Sequence, residues 1–125
     1  MALLSGKSIL VAEDADITAD MLSYVLEQEG ANICRAHNGK EAIELALGEP
    51  FDAILMDINM PEGNGLLATQ EIRKRIAKCP PIIAVTGEDS LNLEELVKMG
   101  FSEYITKPID FAQLYSIIFS HVSHQ

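Results

Sequence analysis

Short apolar runs alternate with amphipathic segments along the whole sequence, and this alternation limits the fold more than any other feature. Four of the runs are predicted as strands, of which the first three are apolar on both faces: residues 9–12, 53–56, 82–85 and 104–106. Strands without a polar face are typical of the interior of a parallel sheet. Residues 31–36 mix Asn32 and Arg35 with apolar residues, which predicts a fifth strand at a sheet edge.

Each predicted strand is followed by a segment with helical spacing of apolar residues. Gly30 is a predicted helix stop, and Asn38 and Asp110 are predicted helix caps. The expected inward-facing residues of the five helices are, in chain order, Ile17, Met21, Leu22, Val25 and Leu26; Ala42, Ile43, Ala46 and Leu47; Ile72 and Ile76; Leu93, Leu96 and Val97; Leu114, Ile117 and Ile118. Five β–α units predict an α/β fold, a doubly wound parallel sheet with helices on both faces.

The charge balance narrows the class of partner. The chain has 125 residues, enough for one domain, and its net charge is 9 − 19 = −10. Direct binding of nucleic acid is not expected, because such binding uses clustered Lys and Arg. No apolar stretch approaches the roughly 20 residues that span a bilayer, and two cysteines are too few for a disulfide framework. We therefore expect a cytoplasmic protein without membrane insertion.

Polar residues collect at the carboxyl ends of the predicted strands. Glu13 and Asp14 follow the first strand, Asp57 the third, Thr86 the fourth and Lys107 the fifth. In doubly wound sheets, ligands bind at this edge. A single polar residue at a strand end is common, but five that converge on the ligand-binding edge indicate a shared site.

The residue types at this edge favour phosphoryl transfer. Clustered carboxylates repel one another unless a cation lies among them, and Mg²⁺ prefers carboxylate oxygens while leaving positions open to phosphate. Lys107 and Thr86 could then contact phosphoryl oxygens, one as a charge and the other as a hydrogen-bond donor. Asp57 is the predicted nucleophile, because no general base is placed to activate a Ser or Cys; its attack on phosphorus would form an acyl phosphate.

These residues carry a family resemblance over residues 7–122. The sequence resembles the receiver domain of two-component response regulators, including the receivers of hybrid histidine kinases. The matching segments are Val11-Ala12-Glu13-Asp14, Met56-Asp57-Ile58-Asn59-Met60-Pro61 with Gly65, Val85-Thr86-Gly87 and Tyr104-Ile105-Thr106-Lys107-Pro108. The resemblance implies a flavodoxin-like sheet with strand order 2-1-3-4-5. Residues 1–6 and 123–125 are expected to be tails.

The resemblance also implies a function for each site residue. A histidine kinase or histidine phosphotransfer domain would phosphorylate Asp57, with Mg²⁺, or Mn²⁺ in its place, held by Glu13, Asp14, Asp57 and the backbone carbonyl of Asn59. Thr86 and Tyr104 would form a switch that changes the surface made by the fourth helix, fifth strand and fifth helix. The Lys107–Pro108 peptide bond is expected to be cis. The domain would promote its own phosphorylation and dephosphorylation without turning over an external substrate.

Several positions depart from the common pattern of the family. Glu13 stands where Asp is more usual, Gly63-Asn64 replaces Met-Asp, and Gly87 replaces Ala. Asn59 and Glu88 each lie two residues after a site residue, and we hypothesise that they orient hydrolytic water and shorten the lifetime of the acyl phosphate. Decay rates of Asn59→Lys and Glu88→Ala would test this hypothesis.

Other functions fit the residues less well. A flavodoxin-type module would place Glu13 and Asp14 against the phosphate of its cofactor, and a haloacid dehalogenase-type phosphatase needs an Asp where Asn59 stands. A degenerate receiver that only binds partners is disfavoured, because no acceptor, metal or Lys position is lost. The sequence leaves three outputs open: an unidentified effector protein, a phosphorylation-dependent homodimer, or onward transfer to a phosphotransfer histidine.

Overall fold

Five strands and five helices alternate along the chain. The computed structural model describes residues 3–60, 65–87 and 92–122. The strands are β1 (Ser8–Ala12), β2 (Asn32–Ala36), β3 (Ala53–Asp57), β4 (Ile82–Thr86) and β5 (Glu103–Thr106), and the helices are α1 (Asp16–Glu27), α2 (Gly39–Gly48), α3 (Gly65–Arg75), α4 (Leu93–Lys98) and α5 (Phe111–Val122). All five predicted strands are therefore present.

The strands form one parallel sheet in the order β2-β1-β3-β4-β5. This arrangement confirms the predicted doubly wound fold and its strand order. The mixed segment, β2, lies at an edge, as its polar residues indicated. The chain passes from β1 outward to β2 and then crosses back, so that β3 lies on the other side of β1. Such sheets bind their ligands at this switch point, beyond the carboxyl ends of β1 and β3.

Side chains of the central strands alternate between two apolar layers. Ile9, Val11 and Leu55 point into the layer covered by α1 and α5, whereas Leu10 and Met56 point into the layer covered by α2, α3 and α4. Successive side chains of a strand point to opposite faces, so an unbroken apolar run supplies both layers. The double-sided core explains why the strands are apolar throughout.

Capping residues begin and end the helices where the sequence predicted. Asn38 accepts a hydrogen bond from the amide of Glu41 at 2.8 Å, and Asp110 accepts from the amides of Ala112 and Gln113. After α1, Gly30 adopts a φ of 91°, a left-handed conformation that glycine takes with little strain. These caps fix the points at which the loops of the site begin.

The predicted inward faces of α1 and α4 are partly wrong. Ala19, Leu22 and Leu26 are the buried residues of α1, whereas Ile17 is 77% exposed and Met21 50% exposed. The prediction merged two neighbouring apolar stripes, and only one of them faces the sheet. In α4, Leu96 alone is buried, and Leu93 and Val97 are exposed for the same reason. In α2, Leu47 is likewise exposed.

The amino-terminal segment packs on the domain. Leu4, within the predicted tail, is 1% exposed, and its amide donates to the carbonyl of Glu29 at 2.8 Å. The predicted domain boundaries stay a prediction. Among the described residues, no helix has the length and apolarity needed to cross a membrane.

Candidate functional site

Three carboxylates meet at the carboxyl edge of the sheet. Glu13 directly follows β1, Asp14 comes next in the same loop, and Asp57 is the last residue of β3. One carboxylate oxygen from each of the three residues lies within 4.8 Å of the other two. Glu13 and Asp57 are each only 1% exposed, while Asp14 is open to solvent. The parallel topology therefore brings together the acidic residues that the sequence placed at one site.

Lys107 completes this group from the end of β5. Its Nζ donates to Oδ2 of Asp57 at 3.1 Å and lies 3.6 Å from Oε1 of Glu13. Its backbone amide donates to the carbonyl of Thr86 at 2.8 Å, which ties the residue to the end of β4. The following Lys107–Pro108 peptide bond is cis.

The electrostatics favour an ionised Asp57. Burial by itself raises the pKa of Asp57, but hydrogen bonds with Glu13, the Asn59 amide and Lys107 outweigh it and hold that pKa below its ordinary value. Burial lowers the pKa of Lys107, but the neighbouring carboxylates, Asp57 foremost, more than offset it and raise that pKa above its ordinary value. Asp57 and Lys107 thus form an ion pair at neutral pH.

Glu13 behaves differently from Asp57. Burial, hydrogen bonding to Asp57 and repulsion from its charge raise the pKa of Glu13 to about 8. Its Oε1 is buried and accepts no hydrogen bond from any described residue, although the Lys107 ammonium lies nearby. A buried carboxylate oxygen without a hydrogen-bond partner, beside two further carboxylates, is suited to a hard cation.

The metal-free protein should lose stability as the pH rises from about 4.5 to 8. In this range the folded protein retains the Glu13 proton, whereas the unfolded chain has released it, because the folded pKa is the higher one. The free energy of unfolding therefore falls by at most about 1.4 kcal/mol per pH unit. The lowered pKa of Asp57 makes the free energy of unfolding depend on pH only below the ordinary value of 3.8. The raised pKa of Lys107 does so only above its ordinary value of 10.5.

Urea unfolding in EDTA at several pH values measures this slope. Glu13→Gln cannot ionise, so its stability should be flatter over the same range and higher than that of the wild type at pH 8. A wild-type protein whose stability is equal at pH 5 and pH 8 in EDTA would contradict the prediction.

Of the other predicted site residues, the structure describes Thr86, Tyr104 and Asn59. Thr86 is buried at the end of β4, and Tyr104 is half-buried on β5, paired in register with Ala84. Asn59 is exposed, and its backbone amide donates to Oδ1 of Asp57 at 2.9 Å. Glu88 and Gly63-Asn64 lie outside the described residues.

One residue that contacts the loop between β1 and α1, which carries Glu13 and Asp14, was not predicted from the sequence. Arg35 was interpreted only as a polar residue of an edge strand, yet its guanidinium donates to the backbone carbonyls of Glu13 and Asp14. The sequence feature that could have indicated this contact is a long cationic side chain near the carboxyl end of β2, the strand next to β1.

An apolar groove opens beside the acidic group. Its cavity of about 310 Å³ is lined by the start of α5 and by α1, with Lys107, Met21, Ile109 and Phe111 among the lining residues. Met21 and Phe111 also line a neighbouring cavity that extends along α1 to Tyr24. The apolar stripe of α1 that does not face the sheet thus lies next to the site.

The sequence matches one protein family along most of its length. The family model described as "Response regulator receiver domain" matches residues 9–119. The osmosensing histidine protein kinase SLN1 of Saccharomyces cerevisiae is 34% identical over 117 residues, which is 88% of this chain and 10% of the kinase. The chain spans 10% to 46% of the length of three curated relatives it matches. A haloacid dehalogenase-type phosphatase receives no support from these matches.

Solved structures with the same fold include one receiver domain with bound magnesium and one in complex with a phosphotransfer protein. A receiver domain of a sensor histidine kinase from Pseudomonas aeruginosa, with magnesium coordinated in its active site cleft, is 30% identical with a TM-score of 0.86, covering 95% of this chain and 99% of that one. The receiver of yeast Ssk1, bound to the histidine phosphotransfer protein Ypd1, is 25% identical with a TM-score of 0.88, covering 98% and 92%.

Proposed function

This chain belongs to the response regulator receiver domain family of two-component phosphorelay signalling, and from that premise we propose that Asp57 accepts a phosphoryl group from a phosphohistidine. The observation that carries the proposal is a buried, ionised Asp57 that is held by Lys107 next to an unsatisfied oxygen of Glu13. A structural ion pair alone would not need the second buried carboxylate.

The proposed reaction is a substitution at phosphorus. An oxygen of Asp57 forms a new P–O bond while the P–N bond of the phosphohistidine breaks, and the leaving imidazole nitrogen keeps that electron pair and takes up a proton from water. Lys107 contacts Oδ2 of Asp57, and after transfer it would contact the phosphoryl oxygens and stabilise their negative charge. Catalysis by this domain then consists of positioning and charge stabilisation, with no external substrate turned over.

The residues at the site fit a divalent cation. We propose that Glu13, Asp14 and Asp57 hold Mg²⁺, with the backbone carbonyl of Asn59, and that Mn²⁺ substitutes for it. When bound, the ion neutralises charge on the phosphoryl oxygens. The orphaned Oε1 of Glu13 supports this assignment, because a cation would satisfy an oxygen that has no hydrogen bond.

Two further proposals concern the response to phosphorylation and its reversal. Thr86 lies at the end of β4 and Tyr104 on the adjacent strand β5, which suits a switch between the acceptor and the surface of α4, β5 and α5. We propose that Asn59, which is exposed and lies two residues past Asp57, orients hydrolytic water, and that Glu88 has the same role from its sequence position. The cytoplasmic location, a homodimeric output and the identity of the effector stay sequence-based predictions.

We propose that the groove between α1 and α5 receives the phosphohistidine donor. A donor imidazole must reach Asp57, so the protein that carries it must cover the surface next to the site, and this groove includes Lys107 itself. Its apolar walls and the exposed side chains of Ile17, Met21 and Tyr24 supply area that a partner can bury. The structural neighbour bound to Ypd1 supports a histidine phosphotransfer domain as the occupant.

Met21→Glu should slow phosphotransfer from a protein donor more than phosphotransfer from a small-molecule donor. Met21 lines both neighbouring cavities, and a charge there opposes docking. Phosphotransfer from phosphorylated histidine phosphotransfer proteins, Ypd1 included, should therefore slow at least about ten-fold relative to the rate with acetyl phosphate. Leu47→Glu on α2 is the matched control, because Leu47 is similarly exposed but lies outside the groove. Equal rate ratios for the two variants would contradict the docking proposal.

Intact mass spectrometry tests the proposed function. Incubation with acetyl phosphate and Mg²⁺ should add the mass of one phosphoryl group, and EDTA should prevent the addition. Borohydride reduction of an acyl phosphate converts the aspartate to homoserine, so peptide mapping should find that change at residue 57. A phosphoryl group on a Ser, Thr or His instead would overturn the proposal.

A further inference from the structure

Arg35 bridges β2 and the loop that carries two of the acidic residues. Its Nε and Nη2 donate to the backbone carbonyl of Glu13 at 3.1 and 2.9 Å, and Nη2 also contacts the carbonyl of Asp14 at 3.3 Å. Nη1 pairs with Oδ1 of Asp16, in the first turn of α1, at 2.7 Å. One guanidinium therefore contacts three of the four residues 13–16, which run from the end of β1 to the first residue of α1.

These contacts hold the loop without using its carboxylates. Arg35 binds the carbonyl side of Glu13 and Asp14, so the carboxylate oxygens of both residues remain available to a cation. Lys107 differs, since it contacts the carboxylates directly. The Arg35 side chain is 19% exposed, whereas Asp16 is 81% exposed, so the carbonyl contacts are the better shielded part of the arrangement.

We infer that Arg35 is a positioning residue for the cation site, which fixes the backbone of the β1–α1 loop so that Glu13 and Asp14 face Asp57. This inference rests on the proposed function of the site. Groups that orient metal ligands commonly change metal affinity by about 10- to 100-fold when they are removed. Lysine should substitute poorly, because one ammonium cannot match a planar fork that spans two carbonyls and a carboxylate.

Magnesium titration calorimetry of the full chain tests the inference. Arg35→Met keeps the aliphatic stem and should weaken Mg²⁺ binding at least about ten-fold, and Arg35→Lys should restore only part of the loss. Asp16→Asn removes the exposed ion pair but keeps the carbonyl contacts, so its affinity should stay within about three-fold of the wild type. An unchanged affinity for Arg35→Met would overturn the inference.

A double-mutant cycle separates positioning from general stability. If Arg35 acts through the loop carboxylates, its loss should cost much less affinity when Asp14→Asn has already removed one of them. If Arg35 only stabilises the fold, Arg35→Met should lower the melting temperature in EDTA and weaken Mg²⁺ binding equally in both backgrounds, which would contradict the inference. A wild type that does not bind Mg²⁺ would instead reject the proposed function on which the inference rests.

Discussion

Asp57→Asn is expected to abolish phosphorylation by acetyl phosphate. An amide is not a nucleophile toward phosphorus under these conditions, and the other carboxylates of the cluster belong to the loop after β1 rather than to β3. We expect the phosphoryl adduct to fall to background, at least about a hundred-fold below the wild type. Intact mass spectrometry of both proteins after the same incubation measures the change.

The variant should remain folded, so the loss can be assigned to chemistry. Asparagine has nearly the same volume as aspartate, and its side-chain oxygen can still accept a hydrogen bond from Lys107. Asp52→Asn is the matched control. Asp52 directly precedes β3, at the amino end of the strand whose carboxyl end carries Asp57, and its Oδ2 accepts a hydrogen bond from the amide of Ser8 at 2.8 Å. That control should keep the full adduct, and an adduct retained by Asp57→Asn would exclude Asp57 as the acceptor.

Most of the fold could be predicted because the strands are short and apolar on both faces. Only a parallel sheet covered on two sides buries runs such as residues 53–56, and five β–α units restrict its topology. The helices were harder to predict. In α1 and α4, apolar residues such as Ile17 and Val97 sit beside the buried stripe but face solvent. Periodicity alone does not distinguish an apolar surface from a core-facing one.

The acidic group was also predictable, since parallel strands end at one edge. Long-range contacts between side chains were not. The pairing of Lys107 with Asp57 joins residues 50 positions apart, and its 3.1 Å distance depends on the geometry of three strands. The contact of Arg35 with the loop after β1 and the burial of the Glu13 oxygen likewise depend on the folded backbone, not on a local pattern.

Gly65, the first residue of α3, packs against the backbone of Asp57. It is buried at the start of the helix, and its amide donates to the carbonyl of Ile58 at 3.3 Å. A Cβ at this position would overlap the backbone carbonyl oxygen of Asp57 and would come within 3.0 Å of Cγ of Met56. The first obstacle is backbone at the end of a central strand, which has little freedom to move.

Gly65→Ala should therefore destabilise the domain and slow its phosphorylation. Either α3 must shift away from β3 or the end of β3 must move, and overpacking of this kind costs about 2 to 3 kcal/mol. We expect the melting temperature to fall by about 10 °C and the rate with acetyl phosphate to fall at least about ten-fold, because Asp57 is displaced. Differential scanning calorimetry and intact mass spectrometry measure the two effects.

Gly87→Ala is the matched control, because it follows β4 near the same edge and a Cβ there meets nothing within 4 Å. It should change the melting temperature by no more than about 2 °C, and it replaces a residue whose φ is not in the left-handed region. If Gly65→Ala were as stable and as reactive as Gly87→Ala, then α3 would not approach Asp57 as closely as the structure places it. The contrast between two glycines near the carboxyl ends of the strands thus tests the packing that holds Asp57 in place.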